Sequence, residues 1–184
     1  AASRQVLEVP GAQAQILSGG LAPSMTEPDH AAVKVLGAIL GGGLAARFFS
    51  DLRDQQGLAY TTGLLYPTRV DRSYVLAQLG TAPENVERAE TALREQLERI
   101  QREPATAEEI RVAKAYILGN LAMDRRTNAR QPWYLAAYEA AGVGQEYLDK
   151  YSADIRKVTA ADVQRVARTY LATLRTVIVR PPKP

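Results

Sequence analysis

Cysteine is absent from these 184 residues, and histidine occurs once, at position 30. Without thiols there can be no disulfide, no thiolate metal site and no cysteine nucleophile, and the chain is compatible with either cytoplasm or periplasm. A catalytic zinc site draws on three protein ligands, in most cases at least one of them imidazole, so a chain with one histidine is poorly supplied. His30, beside Asp29 at a helix start, reads as a solvated or capping residue with no assigned role. No apolar run is long enough to span a bilayer. The chain begins Ala-Ala-Ser without methionine and shows no signal-peptide pattern, so a targeting segment is expected to have been removed or to lie upstream in a longer precursor. Nor is there a strong charge of one sign: the net +3 is dispersed among acidic residues along the helical segments, which argues against a nucleic-acid partner.

What is present is ordinary for a soluble domain. Hydrophobic residues make up 46% and charged ones 23%, and a chain of this length buries about 70% of its unfolded surface without cross-links. The expectation is one domain over residues 1–184, without tandem repeats or low-complexity blocks.

Punctuation gives the order of elements. Ala12 to Leu17 reads as a strand closed by Gly19-Gly20. Thr26-Glu27-Pro28-Asp29 has the spacing of a helix start, with Leu36, Ile39 and Leu40 as the apolar stripe behind it. Gly41, Gly42 and Gly43 break that helix, and a second follows with Leu44, Phe48 and Leu52 on one face and Gly57 as its left-handed stop. Leu58–Tyr66 and Ser73–Gly80 form a hairpin across the turn-rich 67–71 segment. Three threonine boxes open further helices: Thr81 with Glu84, Thr106 with Glu109, and Thr159 with Asp162. Aromatics gather around Trp133, Tyr134 and Tyr138, then Tyr147 and Tyr151. Core packing is the default for Tyr116, Tyr134, Tyr138 and Tyr170. A last strand covers Thr176–Val179, and Pro181 to Pro184 reads as a linker or an end. Strand, two helices, hairpin, several helices and a strand together give an α+β domain: a mixed, mainly antiparallel sheet covered on one face by helices.

Familiar catalytic patterns fail in turn. The triple glycine follows a helix and has no Gly-Lys-Ser/Thr, so it reads as a helix-to-helix turn in place of a phosphate loop. The serines lack a nucleophile elbow. Arg53 and Tyr60 stand apart, the first ending a helix and the second opening a strand, with one short turn between them.

LGAILGGGLAARFFSDLRDQQGLAY, residues 36 to 60, resembles the signature of the C-terminal type of domain in the pitrilysin/insulinase family of zinc metallopeptidases. The resemblance extends through TAPENVERA, TAEEIRVAKAYILGN and VTAADVQRVARTYL, from about Gln13 to Val179. It implies a metallopeptidase-like fold forming the zinc-free half of a clamshell, with zinc carried by a homologous domain or subunit bearing an inverted His-x-x-Glu-His motif, which this chain lacks. Arg53 matches the family arginine that helps hold the substrate backbone, and Tyr60 matches the tyrosine whose hydroxyl lies near the scissile carbonyl. Gly41, Gly42 and Gly43 stand where some members carry an expanded glycine-rich, substrate-handling loop, here short. The family also implies a rival reading, a catalytically silent scaffold or interaction module, against which the retention of both Arg53 and Tyr60 counts. The expected partners are the zinc-bearing half and a peptide, with no nucleic acid and no transmembrane segment.

Overall fold

A computed structural model describes residues 2–182; Ala1, Lys183 and Pro184 lie outside the described residues, and with them half of the expected tail. The expected α+β architecture is present. Five strands, β1 (Ser3–Glu8), β2 (Ala14–Ala22), β3 (Thr61–Leu65), β4 (Ser73–Thr81) and β5 (Arg175–Arg180), form one sheet in the order β1-β5-β2-β4-β3. Only β1 with β5 is parallel; the other neighbours are antiparallel. The hairpin expected from the sequence is β3–β4, with Thr61 opposite Gly80 and Leu65 opposite Leu76.

Among the described residues six α-helices accompany the strands: α1 (His30–Gly41) between β2 and β3, then α2 (Val86–Arg102), α3 (Ala107–Asp124), α4 (Arg130–Ala140), α5 (Tyr147–Lys157) and α6 (Ala160–Tyr170) between β4 and β5. Helices α1, α2 and α6 lie on the sheet, and α3 and α5 pack behind α1. The alternation of Val75, Ala77 and Leu79 sends one side of β4 into a buried cluster shared with Ile16, Leu36, Leu40, Leu93, Val163 and Ile178. On the sheet's other face Leu17, Leu21, Tyr74, Leu76 and Val177 line an open trough of about 800 Å³.

Several boundaries differ from the expectation, each for a physical reason. Gly19 and Gly20 do not close β2 but lie inside it, because a Cβ at position 19 would stand 2.7 Å from the Val75 carbonyl oxygen. The second helix is not an α-helix with Leu44 on its inner face. It is a π-helix over Phe48–Gln55, in which Gln56 N–H reaches the Asp51 carbonyl; Phe48 and Leu52 are buried while Leu44 is 74% exposed. The Thr81 box does not form: Thr81 ends β4, a 3₁₀ turn Pro83–Asn85 intervenes, and α2 opens at Val86 without a side-chain cap. The Thr26–Asp29 start also lacks a side-chain cap, since the Asp29 carboxylate is turned to Arg165 and Tyr170. The boxes at Thr106 and Thr159 are both complete, each threonine accepting from the N3 backbone while the N3 carboxylate accepts from the threonine N–H. Tyr116 is not a core residue but 45% exposed.

Candidate functional site

The segment from Arg47 to Tyr60 is held at both ends. Arg47 is buried and donates to both carboxylate oxygens of Glu109, at 2.6 and 3.0 Å. Glu109 is the same residue that closes the capping box of α3, so one carboxylate ties the entry of the π-helix to the start of another helix. Its pKa lies below the ordinary glutamate value: burial would raise it, but the Arg47 guanidinium and the Thr106 backbone N–H together outweigh that. Further along, Asp51 accepts from Gln96 Nε2 at 2.7 Å and pairs with Arg99 at 3.5 Å, pinning the π-helix to α2.

Between these anchors the chain reverses. Gly57 adopts φ +64°, a left-handed conformation that glycine takes without steric cost. The Leu52 carbonyl accepts from both Leu58 N–H (2.8 Å) and Ala59 N–H (3.2 Å), which sets the backbone preceding Arg53 directly against the backbone preceding Tyr60. Tyr60 then donates its N–H to Gly80 at 2.8 Å and starts the edge strand β3. Leu52, Leu58 and Ala59 are buried, whereas Arg53 and Tyr60 are exposed, Tyr60 at 54%. The Arg53 guanidinium rests over the Phe49 ring, 4.7 Å from its centroid, a contact that orients the charge without consuming its hydrogen-bond donors. Among the described residues neither side chain has a hydrogen bond or an ion pair. The reversal thus presents a planar five-donor cation and a phenol from adjacent backbone on a fixed support.

The three glycines lie elsewhere. A Cβ at Gly41 would fall 2.2 Å from the Leu64 backbone nitrogen, so the end of α1 sits directly on β3. Gly43 takes φ +115° and faces Tyr116. Gly42 and Gly43 line an apolar recess of about 400 Å³ with Leu44, Val112, Ala113 and Tyr116. Close packing of backbone accounts for Gly41, and the turn for Gly43.

His30 is not solvated and does not cap: it is 4% exposed at the start of α1. The single Tyr66 hydroxyl proton goes to the Pro23 carbonyl (2.8 Å), so that hydroxyl accepts from His30 Nδ1–H, also at 2.8 Å. Nε2 is left a buried acceptor without a partner. Burial first, then the nearby Lys34 and Lys150 charges, push the imidazole pKa down to about 3, and burial brings Lys34 down to about 8. No group of three or more His, Cys, Asp or Glu that could hold a metal occurs among the described residues, nor does any helix there have the length and apolarity to cross a membrane.

Beside His30 begins a feature not assembled from the sequence, a ladder of rings. Tyr66 and Tyr151 flank His30 at 5.4 and 5.6 Å between centroids, and Tyr147, Tyr138, Tyr134 and Trp133 continue it in steps of 4.9 to 6.0 Å. The signal was present in the spacings Tyr134/Tyr138 and Tyr147/Tyr151, four residues apart on helices.

Three comparisons with known proteins agree. A family model described as the peptidase M16 inactive domain matches residues 1–117. An uncharacterized zinc protease of Streptomyces coelicolor is 26% identical over 159 residues, covering 86% of this chain and 35% of the relative. One from Rickettsia bellii is 27% identical over 157 residues, covering 80% and 36%. The chain thus spans little more than a third of the length of these relatives. Among solved structures, an M16 peptidase inactive domain from Pseudomonas fluorescens superposes with a TM-score of 0.88 at 23% identity, over 100% of this chain and 45% of that one. The inactive peptidase domain of a putative zinc protease from Bordetella parapertussis does so with a TM-score of 0.82 at 20% identity, over 97% and 96%. By its family-model match, this chain belongs to the inactive-domain family of M16 zinc peptidases.

Proposed function

We propose that residues 1–184 act as the zinc-free half of a metallopeptidase chamber, in which Arg53 and Tyr60 contact an extended peptide held against a zinc-bearing companion. The companion, on the same polypeptide or a separate subunit, would carry the inverted His-x-x-Glu-His motif, and its zinc would supply an activated water. Arg53 donates to peptide carbonyls through its planar guanidinium. The Tyr60 hydroxyl donates to the oxygen of the scissile carbonyl as negative charge develops there. The observation that carries this reading is the reversal itself: two side chains with strong donor groups stand exposed and without polar partners on a segment fixed by Arg47–Glu109 and Asp51–Gln96. Gly41, Gly42 and Gly43, the last two lining the recess beside α3, are the second place where a substrate segment would touch this half.

The test is steady-state kinetics on the assembled enzyme with Tyr60→Phe and Arg53→Ala, with thermal melts as controls for folding. Reduced turnover in properly folded variants supports the reading. Unchanged turnover in both returns the two residues to the surface and leaves the catalytically silent scaffold in its place.

A further inference from the structure

The second half of α3 packs Ile117 and Leu118 against the core, but its outer side and the whole of α4 form an arm on which several large apolar residues stay exposed. From Ala115 to Met123 the only polar residue is Asn120, yet α3 buries Ala113 alone; a helix apolar on all sides is ordinarily buried. Helix α4 has no buried residue. Met123, Leu135 and Trp133 are exposed, Trp133 at 55%.

The arm is nonetheless well supported. The Tyr134 hydroxyl donates to Asp124, whose carboxylate also takes the Arg130 guanidinium at 2.6 Å. Arg130 lies over the Trp133 ring at 5.2 Å, and Trp133 meets Tyr134 edge-on at 4.9 Å. Through Tyr138, Tyr147 and Tyr151 the ladder continues to buried His30. An apolar tip held out from the core by stacked rings is an anchor without its socket. The segment 124–135 carries Arg125, Arg126 and Arg130 against one acidic residue, Asp124, and Arg125 and Arg130 lie over the Tyr134 and Trp133 rings. Two such tips would repel each other across a twofold axis, which disfavours a second copy as the occupant. Membership of an inactive-domain family supplies a different one, and the relatives carry well over half of their length beyond the part matched here.

We propose that the tip formed by Met123, Trp133 and Leu135 inserts into an apolar, acid-rimmed recess on the companion catalytic domain, fixing the two halves relative to each other. The inference needs that companion to exist but does not depend on the roles given to Arg53 and Tyr60.

Trp133 is the only tryptophan of the chain, so it reports its own burial. The chain carrying 5-fluorotryptophan is observed by fluorine NMR alone and with the unlabelled companion domain. Docking shifts the single resonance and removes its solvent-isotope shift. Trp133→Ala weakens association by about thirtyfold or more, the usual effect of deleting a central aromatic anchor, and Arg126→Glu weakens it while flattening its salt dependence. Leu135→Glu, an exposed position, gives a second variant whose loss of association cannot be put down to unfolding if its melt is unchanged. The proposal is overturned if Trp133 stays solvent-accessible with the companion bound, if no binding occurs, or if the resonance responds to the chain's own concentration instead. An assembly that depends on Tyr60 for turnover while leaving Trp133 exposed would reject the arm and spare the proposed function; loss of the Tyr60 effect with Trp133 buried would do the reverse.

Discussion

At the scale of single residues, position and chemistry separate Tyr60 from Arg53. The Tyr60 ring keeps its place in Tyr60→Phe, and only the hydroxyl is lost, a donor useful chiefly when charge builds on the carbonyl oxygen. In the assembled enzyme kcat should therefore fall about a hundred- to a thousandfold, or roughly 3 to 4 kcal/mol, with KM little changed. On the same proposal Arg53→Ala removes a clamp used in the ground state as well, so KM should rise and kcat fall together. His30 makes a separate prediction. Its folded pKa is near 3 against an ordinary 6.5, so the unfolded chain binds the extra proton between those values. The stability it contributes is complete above about pH 6.5 and is lost as pH falls toward 3, by an amount on the order of a few kcal/mol. Because no other histidine exists, the slope of melting temperature between pH 5 and 7 belongs largely to this residue. Replacing His30 with glutamine should flatten that slope in a series of melts, and an unchanged slope would show that the ring is not buried neutral.

At the scale of elements, legibility followed the range of the cause. Thr106/Glu109 and Thr159/Asp162 were readable because a capping box is closed within four residues, and the β3–β4 hairpin because two extended runs flank the turn-rich residues between Leu65 and Ser73. Thr81 carried the same local pattern and failed, since β4 extends through it and a 3₁₀ turn delays α2. The π-helix was invisible: its wide turns are sustained by Arg47–Glu109 and Asp51–Gln96, partners 62 and 45 positions away. Strand β1 was missed because it is an edge strand with mostly exposed residues, lacking the alternation that marks a half-buried strand. The exposed Arg53/Tyr60 pair came from resemblance, and the reversal that adjoins the two became visible only in the fold. Glycines give the sharpest contrast. Gly41→Ala places a methyl 2.2 Å from Leu64 N and must lift α1 off β3, whereas Gly119→Ala meets nothing within 4 Å on α3. Urea denaturation should show the first destabilised by about 2 kcal/mol or more and the second stabilised by about 0.5 to 1 kcal/mol. Equal effects would mean that α1 does not rest on the β3 backbone.

For the whole molecule, the proposed division of labour between halves has a direct consequence. One buried, neutral histidine hydrogen-bonded to Tyr66, no cysteine, and no acidic cluster of metal-binding geometry among the described residues leave no ligand set for a catalytic ion. The features that remain fit the proposed complementing surface: an exposed donor pair on the reversal between the π-helix and the edge strand β3, and an arm with exposed apolar residues. Edge strands read backbone and tolerate varied side chains, so a peptide laid along β3 or along the companion's own edge would be selected for extended shape more than for sequence. The chain alone should therefore take up no stoichiometric zinc and cleave no peptide, while the assembly should cleave unfolded segments of varied sequence and spare those inside stably folded proteins. Metal analysis of the purified chain, peptide-cleavage assays with and without chelator, and library profiling of the assembly measure all three. A tight equivalent of zinc on the chain alone, or chelator-sensitive turnover without the companion, would place the chemistry in this half after all; equal cleavage of folded and unfolded targets would remove the chamber.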